Sequence, residues 1–455
     1  MNFEREIPSR ASTVVCGAGM AGVAFAWHLV RRGRDGVVVV DAGEPLGLTS
    51  SQGTEAYRTW WPGMDAAMVR LTSRSVDLLE AIHQASDGAF AMSRRGYVFA
   101  TGDAERLRGM VSTARQVADF GAGPLRRKEG DYAPSPAEGW RFADGADLVT
   151  DPAVVKAAYP FIAPDALGLL HLRRAGWLDS RALGRWLLAD LERQGVTVLR
   201  DRLVAVEKSA SGAVAAVVLE KGGTLPAEHL VLAPGPLLPE AGRLLGLELP
   251  VINELHGKAA LRDPEGLVPR DAPLMIWNDP VRLSWTEEER QTLADRPDLL
   301  RELPLGAHFR PRGDGADAHL LLLWTYAPKA VSKATWPPAF DPYYGEVLLR
   351  GVARMIPDLE GYFGRGSQAE ISGGYYCKAP DNRPLIGPLP VPGVWVVGAL
   401  SGFGIMSSQG AGDLLAAHLT GDELPSWAPA FHPARFDDPI YRARLAGWDS
   451  RLGEL

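Results

Sequence analysis

The run Cys16-Gly17-Ala18-Gly19-Met20-Ala21-Gly22 constrains this chain more than any other stretch of its sequence. It follows an apolar segment, residues 12–16, that reads as a buried strand, and it opens residues 20–32, whose small and apolar positions have helical spacing. In that setting each glycine has its own physical task. Gly17 permits a tight turn, Gly19 lets the main chain approach a pyrophosphate with no Cβ in the way, and Gly22 allows helix and strand to pack closely. The N–H groups of the first helical turn, at Met20 and Ala21, then face phosphate oxygens, where the helix dipole adds roughly 0.3–1 kcal/mol per well-placed negative charge. Residues 36–40 form a second apolar strand that ends in Asp41, nineteen residues after Gly22. That is close to the ~20 expected for an acid accepting hydrogen bonds from a ribose. Residues 12–41 thus read as one β-α-β dinucleotide-binding unit.

A chain of 455 residues exceeds one ordinary core, so two domains, or one interrupted by another, are expected. The net charge of -7 is modest, and no run of Lys and Arg is present to follow a phosphate backbone, which argues against nucleic acid as a partner. The two cysteines, Cys16 and Cys377, have neither the spacing nor the neighbours of a disulfide framework or a zinc site, so no metal is expected. Residues 1–12 lack the apolar core of a signal peptide, and no uncharged stretch approaches the ~20 residues of a membrane span. A cytoplasmic enzyme without a membrane partner is the expectation.

Further strands are expected at residues 97–100, 196–199, 213–219, 230–233, 274–277, 320–325 and 394–398, and helices at 66–83, 183–193, 286–295, 344–355 and 409–419. The strand ending at Ala233-Pro234-Gly235 arrives far downstream of the opening unit, after a β-rich stretch. An NAD fold usually completes itself in contiguous units, so the interruption favours FAD. The expected fold is α/β: a Rossmann-like FAD-binding domain carrying an inserted antiparallel, β-rich α+β substrate domain. The expected partition gives residues 1–86, 150–249 and 371–430 to the FAD domain, 87–149 and 250–370 to the substrate domain, and 431–455 to a C-terminal tail.

Several motifs then carry a specific likeness: the turn Ser50-Ser51-Gln52-Gly53-Thr54 leading to Arg58, Gly176-Trp177-Leu178-Asp179 before a helix, the run from Ala379 to Pro388 containing Asp381 and Pro384, and Gly398-Ala399-Leu400-Ser401-Gly402-Phe403-Gly404-Ile405-Met406. Together with the opening unit, and over nearly the whole chain, the sequence resembles the D-amino-acid oxidase superfamily of flavoproteins, especially its sarcosine oxidase, glycine oxidase and dimethylglycine dehydrogenase branches. The resemblance implies a cofactor site of Gly17, Gly19, Met20, Ala21, Gly22, Asp41, Ala42, Ser51, Gln52, Gly53, Val204, Ala233, Gly235, Gly374, Asp381, Gly402, Phe403, Gly404, Ile405 and Met406. In the family the Asp381 run passes along the flavin, and the Gly402 to Met406 loop opens a helix whose N-terminus points at the flavin pyrimidine. Such N–H groups stabilise the charge that gathers on reduced flavin.

Departures from the family pattern are informative. The covalent-flavin cysteine of sarcosine oxidase falls on Gly374, and Cys377 lies three residues later, so non-covalent FAD is expected. The family's oxygen-reactive lysine has no counterpart in the apolar strand around Leu322. Glycine oxidase's carboxylate-binding arginine corresponds to Tyr376, and sarcosine oxidase's second cationic anchor to Met406.

Oxidation of a CH–NH bond by flavin needs placement more than an acid–base pair, so anchors and walls are the residues to seek. Arg58 is the expected anion anchor, Tyr376 and Tyr326 the expected reaction-site tyrosines, and Trp60, Trp61, Trp277 and Trp324 the expected walls, which together point to a larger, hydrophobic or aromatic amine. His256 and Lys258 are read as solvated. The expected reaction is oxidation of a secondary amine or amino acid to an imine, with O2 reoxidising the flavin. Delivery of electrons to a protein or quinone, and a non-catalytic flavin-binding subunit, are the alternatives.

Overall fold

The computed structural model describes residues 7–133 and 144–449. Its first sheet is built on Ala11–Cys16, which lies between Val37–Asp41 and Gly223–Leu232, all parallel. Thr197–Arg200 pairs beside Val37–Asp41, and Val394–Gly398 beside Gly223–Leu232, again parallel. Three separated stretches of chain thus assemble one parallel sheet, as the late strand at 230–233 predicts. Antiparallel strands extend it: Leu203–Lys208 and Val214–Leu219 at one edge, and Leu385–Pro388 beside Val394–Gly398.

Small residues decide which helices cover this sheet. Helix Gly404–Thr420 settles between Met20–Arg31 and Ala67–Ala85 because a Cβ at Gly412 would lie 2.7 Å from the Phe25 nitrogen, and one at Gly410 2.8 Å from the Leu71 oxygen. Arg32 donates to Asp413 across the same interface at 2.7 Å. The consequence is positional: the N-terminus of Gly404–Thr420 follows Val394–Gly398 directly and emerges beside the N-terminus of Met20–Arg31. This helix begins five residues before the 409–419 expected from its pattern.

The second sheet has 10 strands among the described residues and is mostly antiparallel. Across its middle, Phe99, Ile276, His308, Leu323 and Lys258 form one cross-strand row on five neighbouring strands. Cross-strand partners share a face, and sequence neighbours take the other. Accordingly Met275, Trp277, Phe309 and Leu322 pack on the far side, in a core with Val347, Leu348 and Val352 of helix Tyr344–Ala353.

Two expected boundaries move. Gly168–Leu172 pairs with Tyr97–Thr101 and Ala146–Val149, so the second sheet keeps the chain well past residue 150. Glu370–Lys378 pairs with Ile252–Arg262, so the chain returns to the first sheet at Leu385–Pro388 rather than at 371. Strand partnership is set by distant pairing, which local pattern does not record. Of the expected tail, residues 450–455 lie outside the described residues; the rest packs back, with Arg435 buried and a helix at Pro439–Ala446. No described helix is long and apolar enough to cross a membrane.

Candidate cofactor and substrate site

A cavity of about 540 Å³ opens where the parallel strands end. Gly17, Gly19, Met20, Ala21, Asp41, Ala42, Gly53, Val204, Ala233, Gly235, Gly402, Gly404 and Ile405 line it. The glycine turn has the geometry its sequence demands. Gly17 sits at φ +115°, and a Cβ there would lie 2.4 Å from the Ala233 oxygen. A Cβ on Gly22 would lie 2.0 Å from the Gly17 oxygen, so Gly22 works from behind the turn and does not itself line the cavity. Over Gly19 the nearest atom is the Ser50 hydroxyl, 3.4 Å from a Cβ there.

Asp41 accepts the Ala18 N–H at 2.7 Å and the Gly43 N–H at 2.8 Å, leaving each carboxylate oxygen a further acceptor site. Burial raises its pKa, against the lowering effect of those two bonds. Ser50 accepts the Met20 N–H at 3.0 Å and keeps its own O–H to donate. Sequence reading singles out Ser51 and Gln52 from this turn, whereas Thr49 and Ser50 line the cavity. Ser51 instead donates to the Leu48 carbonyl at 3.3 Å, and Gln52 to the Ser51 hydroxyl at 3.3 Å.

The residues present fit FAD. Both helix N-termini that border the cavity, at Met20 and Gly404, lack a side-chain cap from the preceding residue and have no acidic residue in the first turn. Their partial positive charge suits a diphosphate at one and an electron-rich ring edge at the other. Ala399 and Ser401, leading into the second helix, hold φ of 52° and 51°. Such left-handed conformations at non-glycine residues cost about 1–3 kcal/mol each and cluster at ligand sites.

Asp381 departs from its expected place. Its carboxylate accepts from Arg435 at 2.6 and 3.0 Å, from the Tyr441 hydroxyl at 2.6 Å and from the Arg383 N–H at 3.1 Å. A buried carboxylate requires such partners, and the tail supplies them away from the cavity. Gly374 also lies outside the lining, with a Cβ position 3.0 Å from the Thr49 hydroxyl.

A smaller chamber, of about 80 Å³, adjoins the cavity, and Thr54, Ala56, Tyr376 and Gly402 border both. Phe403 and Met406 face this chamber rather than the larger space. Arg58 also lines it, at the end of strand Ala56–Arg58, which pairs with Ala175–Leu178. The guanidinium carbon lies 5.1 Å from the Trp61 ring centre, 5.6 Å from Tyr97, 5.9 Å from Phe99 and 6.0 Å from Trp60. Burial in this aromatic cage brings its pKa down to about 10.

Tyr376 is clamped between the two sites. Its ring stacks on His256 at 3.9 Å, and a Cβ on Gly402 would meet its Cε2 at 2.4 Å. His256 is half-buried and held by hydrogen bonds rather than solvated: Nδ1 lies 3.1 Å from the Thr325 hydroxyl and Nε2 3.3 Å from Glu254, which Lys378 also pairs at 2.6 Å. The His256 and Lys378 contacts hold Glu254 down to about 2.

Trp61 and Trp324 line the chamber, Trp61 against Phe403 and Trp324 fixed by donation to the Pro304 carbonyl at 3.0 Å. Three other expected wall or reaction-site residues do not. Trp277 is fully buried on the opposite face, because Leu274 and Ile276 take the chamber side of their strand. Tyr326 packs among Trp324 and Tyr344, and Trp60 sits behind Arg58 against Phe99. Leu322 likewise faces the core, so its apolar character says nothing about the chamber. Lys258, read as solvated, is in fact buried in the chamber-side row, with Nζ 2.9 Å from the Gly53 carbonyl; burial lowers its pKa to about 8.

Sequence reading missed His308, which lines the chamber between Ile276 and Leu323. Its one visible signal is a lone polar ring in the short β-prone stretch Ala307-His308-Phe309.

The family model described as "DAO: FAD dependent oxidoreductase" matches residues 12–418. Human mitochondrial dimethylglycine dehydrogenase is 22% identical over 452 residues, covering 96% of this chain but 45% of that protein. The chain thus spans about half the length of the first curated relatives it matches. A D-amino acid dehydrogenase from Paramagnetospirillum magneticum is 26% identical, covering 90% of this chain and 94% of that one. Among solved structures, L-proline dehydrogenase from P. horikoshii superposes with a TM-score of 0.72 at 17% identity, covering 95% of this chain and 99% of that one. Glycine oxidase from Geobacillus kaustophilus does so with a TM-score of 0.67 at 17% identity, covering 91% and 96%. Glycine cradle, helix ends and family match converge on one assignment: the chain belongs to the DAO family of FAD-dependent oxidoreductases.

Proposed function

We propose that the protein oxidises a small amine or amino acid at the CH–NH bond to an imine, with the substrate held in the Arg58 chamber. FAD, when bound, supplies the two-electron acceptor. Gly17, Gly19, the Ala21 amide and the Ser50 hydroxyl take its diphosphate, Asp41 its ribose, and the Gly402 to Ile405 loop its ring edge. The observation that carries the reading is the shared border of the two spaces at Thr54, Ala56, Tyr376 and Gly402, which brings any substrate in the chamber against whatever fills the cavity.

The chamber residues act by placement. Arg58 gives a substrate carboxylate a charge-assisted bond worth roughly 1.5–3 kcal/mol. Tyr376, Trp61 and Trp324 wall the opposite sides and exclude water. The small chamber favours a compact amino acid over the larger aromatic amine that the tryptophans alone point to. Anaerobic bleaching of the bound flavin by a panel of amino acids and amines tests the reading: compact amino acids should bleach it, and a flavin unresponsive to the whole panel refutes the proposal.

A second reading, electron delivery to a protein or quinone rather than O2, is favoured by the dehydrogenases among the relatives. The Leu322 strand no longer supports it. Oxygen uptake measured against dye reduction separates the two.

A further inference from the structure

Two histidines line the chamber, and their hydrogen bonds set them apart. Both nitrogens of His256 are engaged, by Thr325 and Glu254, and its ring supports Tyr376. His308 is different. Its Nδ1 lies 2.8 Å from the Gly306 carbonyl, which accepts only, so the proton sits on Nδ1 and Nε2 carries a lone pair. No hydrogen-bond partner among the described residues meets that Nε2. The ring stands mid-row between Ile276 and Leu323, both apolar, so the chamber is where Nε2 finds a donor. Burial first, with Arg58 adding to it, brings the His308 pKa down to about 4, which keeps the ring a neutral acceptor at ordinary pH.

We propose that His308 Nε2 accepts a hydrogen bond from the substrate's amine N–H, making the chamber selective for primary and secondary amino acids over tertiary ones. The inference rests on the amine-oxidising reading above and sharpens it. A reacting amine is neutral, with its lone pair free. A neutral primary or secondary amine still has an N–H to give, and a neutral N,N-dialkyl amine has none. Arg58 and His308 thus present complementary groups, a donor for the carboxylate and an acceptor for the N–H, on one small space. A ring with its proton on Nδ1 is too weak a base to take the proton of an ammonium group. Its contribution is orientation and choice of substrate.

The test uses the flavin-loaded protein and two redox-inert ligands of nearly equal shape, pyrrole-2-carboxylate, which has an N–H, and furan-2-carboxylate, which has none. Binding is read from the flavin difference spectrum. The wild type should bind the pyrrole about five- to tenfold more tightly, the worth of one buried neutral hydrogen bond. His308→Leu should remove that preference, and His308→Gln, which keeps an acceptor, should retain part of it. Equal affinities in the wild type, or an undiminished preference in His308→Leu, overturn the role of His308 while leaving the Arg58 chamber intact, provided Arg58→Ala weakens both ligands. If neither ligand perturbs the flavin, the chamber reading falls and this inference with it.

Discussion

Replacing Arg58 with methionine should make the folded protein more stable and its grip on carboxylates weaker. Arg58 is 2% exposed, and burial outweighs what its neighbours return, taking its pKa from 12.5 to about 10. That difference corresponds to about 3 kcal/mol favouring the uncharged form, so a cation is kept there at a cost. For a base whose folded pKa is depressed, the cost is fully present below the folded value and is relieved only as pH rises through about 10 toward 12.5. Arg58→Met should therefore raise the melting temperature by a similar amount at pH 6 and at pH 9. Its KM for a carboxylated substrate should rise about 10- to 150-fold, the equivalent of a lost charge-assisted bond, with little change for a neutral amine of the same size. Calorimetry at two pH values and steady-state kinetics with the paired substrates read both effects. A variant less stable than the wild type, or one that loses both substrates equally, refutes the reasoning.

Lys258→Met should also stabilise, but with a pH signature: the charged amine is disfavoured below about 8, so the gain is full at pH 7 and shrinks as pH rises through 8 toward 10.5. A gain that grows with pH in thermal melts would contradict this. Arg435→Met strands the Asp381 carboxylate, whose side chain has no exposure, and should cost about 3–5 kcal/mol in denaturant titrations. The surviving folded fraction should keep its flavin, because Asp381 faces the tail. Gly22→Ala places a Cβ 2.0 Å from the Gly17 oxygen and should abolish flavin loading. Gly235→Ala forces a Cβ onto φ +58° in the cavity lining and should cost about 1–2 kcal/mol of stability in denaturant titrations.

What the sequence made legible was whatever depends on short range. The turn at Gly17 to Gly22 and the acid at Asp41 lie within one β-α-β unit, so pattern and chemistry coincide there. Strand Leu274–Trp277 shows the limit. Its four residues are all apolar and buried on both faces, so nothing local says which pair faces the chamber, and aromatic character favours Trp277 where geometry selects Leu274 and Ile276. Asp381 was misplaced because its partners Arg435 and Tyr441 come from the tail, more than fifty residues on. Ser50 was legible only as the first residue of its turn because its partner, the Met20 N–H, lies thirty residues back, and His308 was missed because its place beside Ile276 and Leu323 is set by strand pairing rather than by a motif.

The glycine turn and the N-terminus of Gly404–Thr420 should together cradle FAD without a covalent bond. The direct measurement is the absorbance spectrum of the purified protein, followed by acid precipitation and analysis of the supernatant. The native protein should show flavin bands and release about one FAD per chain into the supernatant. A colourless protein that takes up no added FAD, or a yellow precipitate over a clear supernatant, would contradict it.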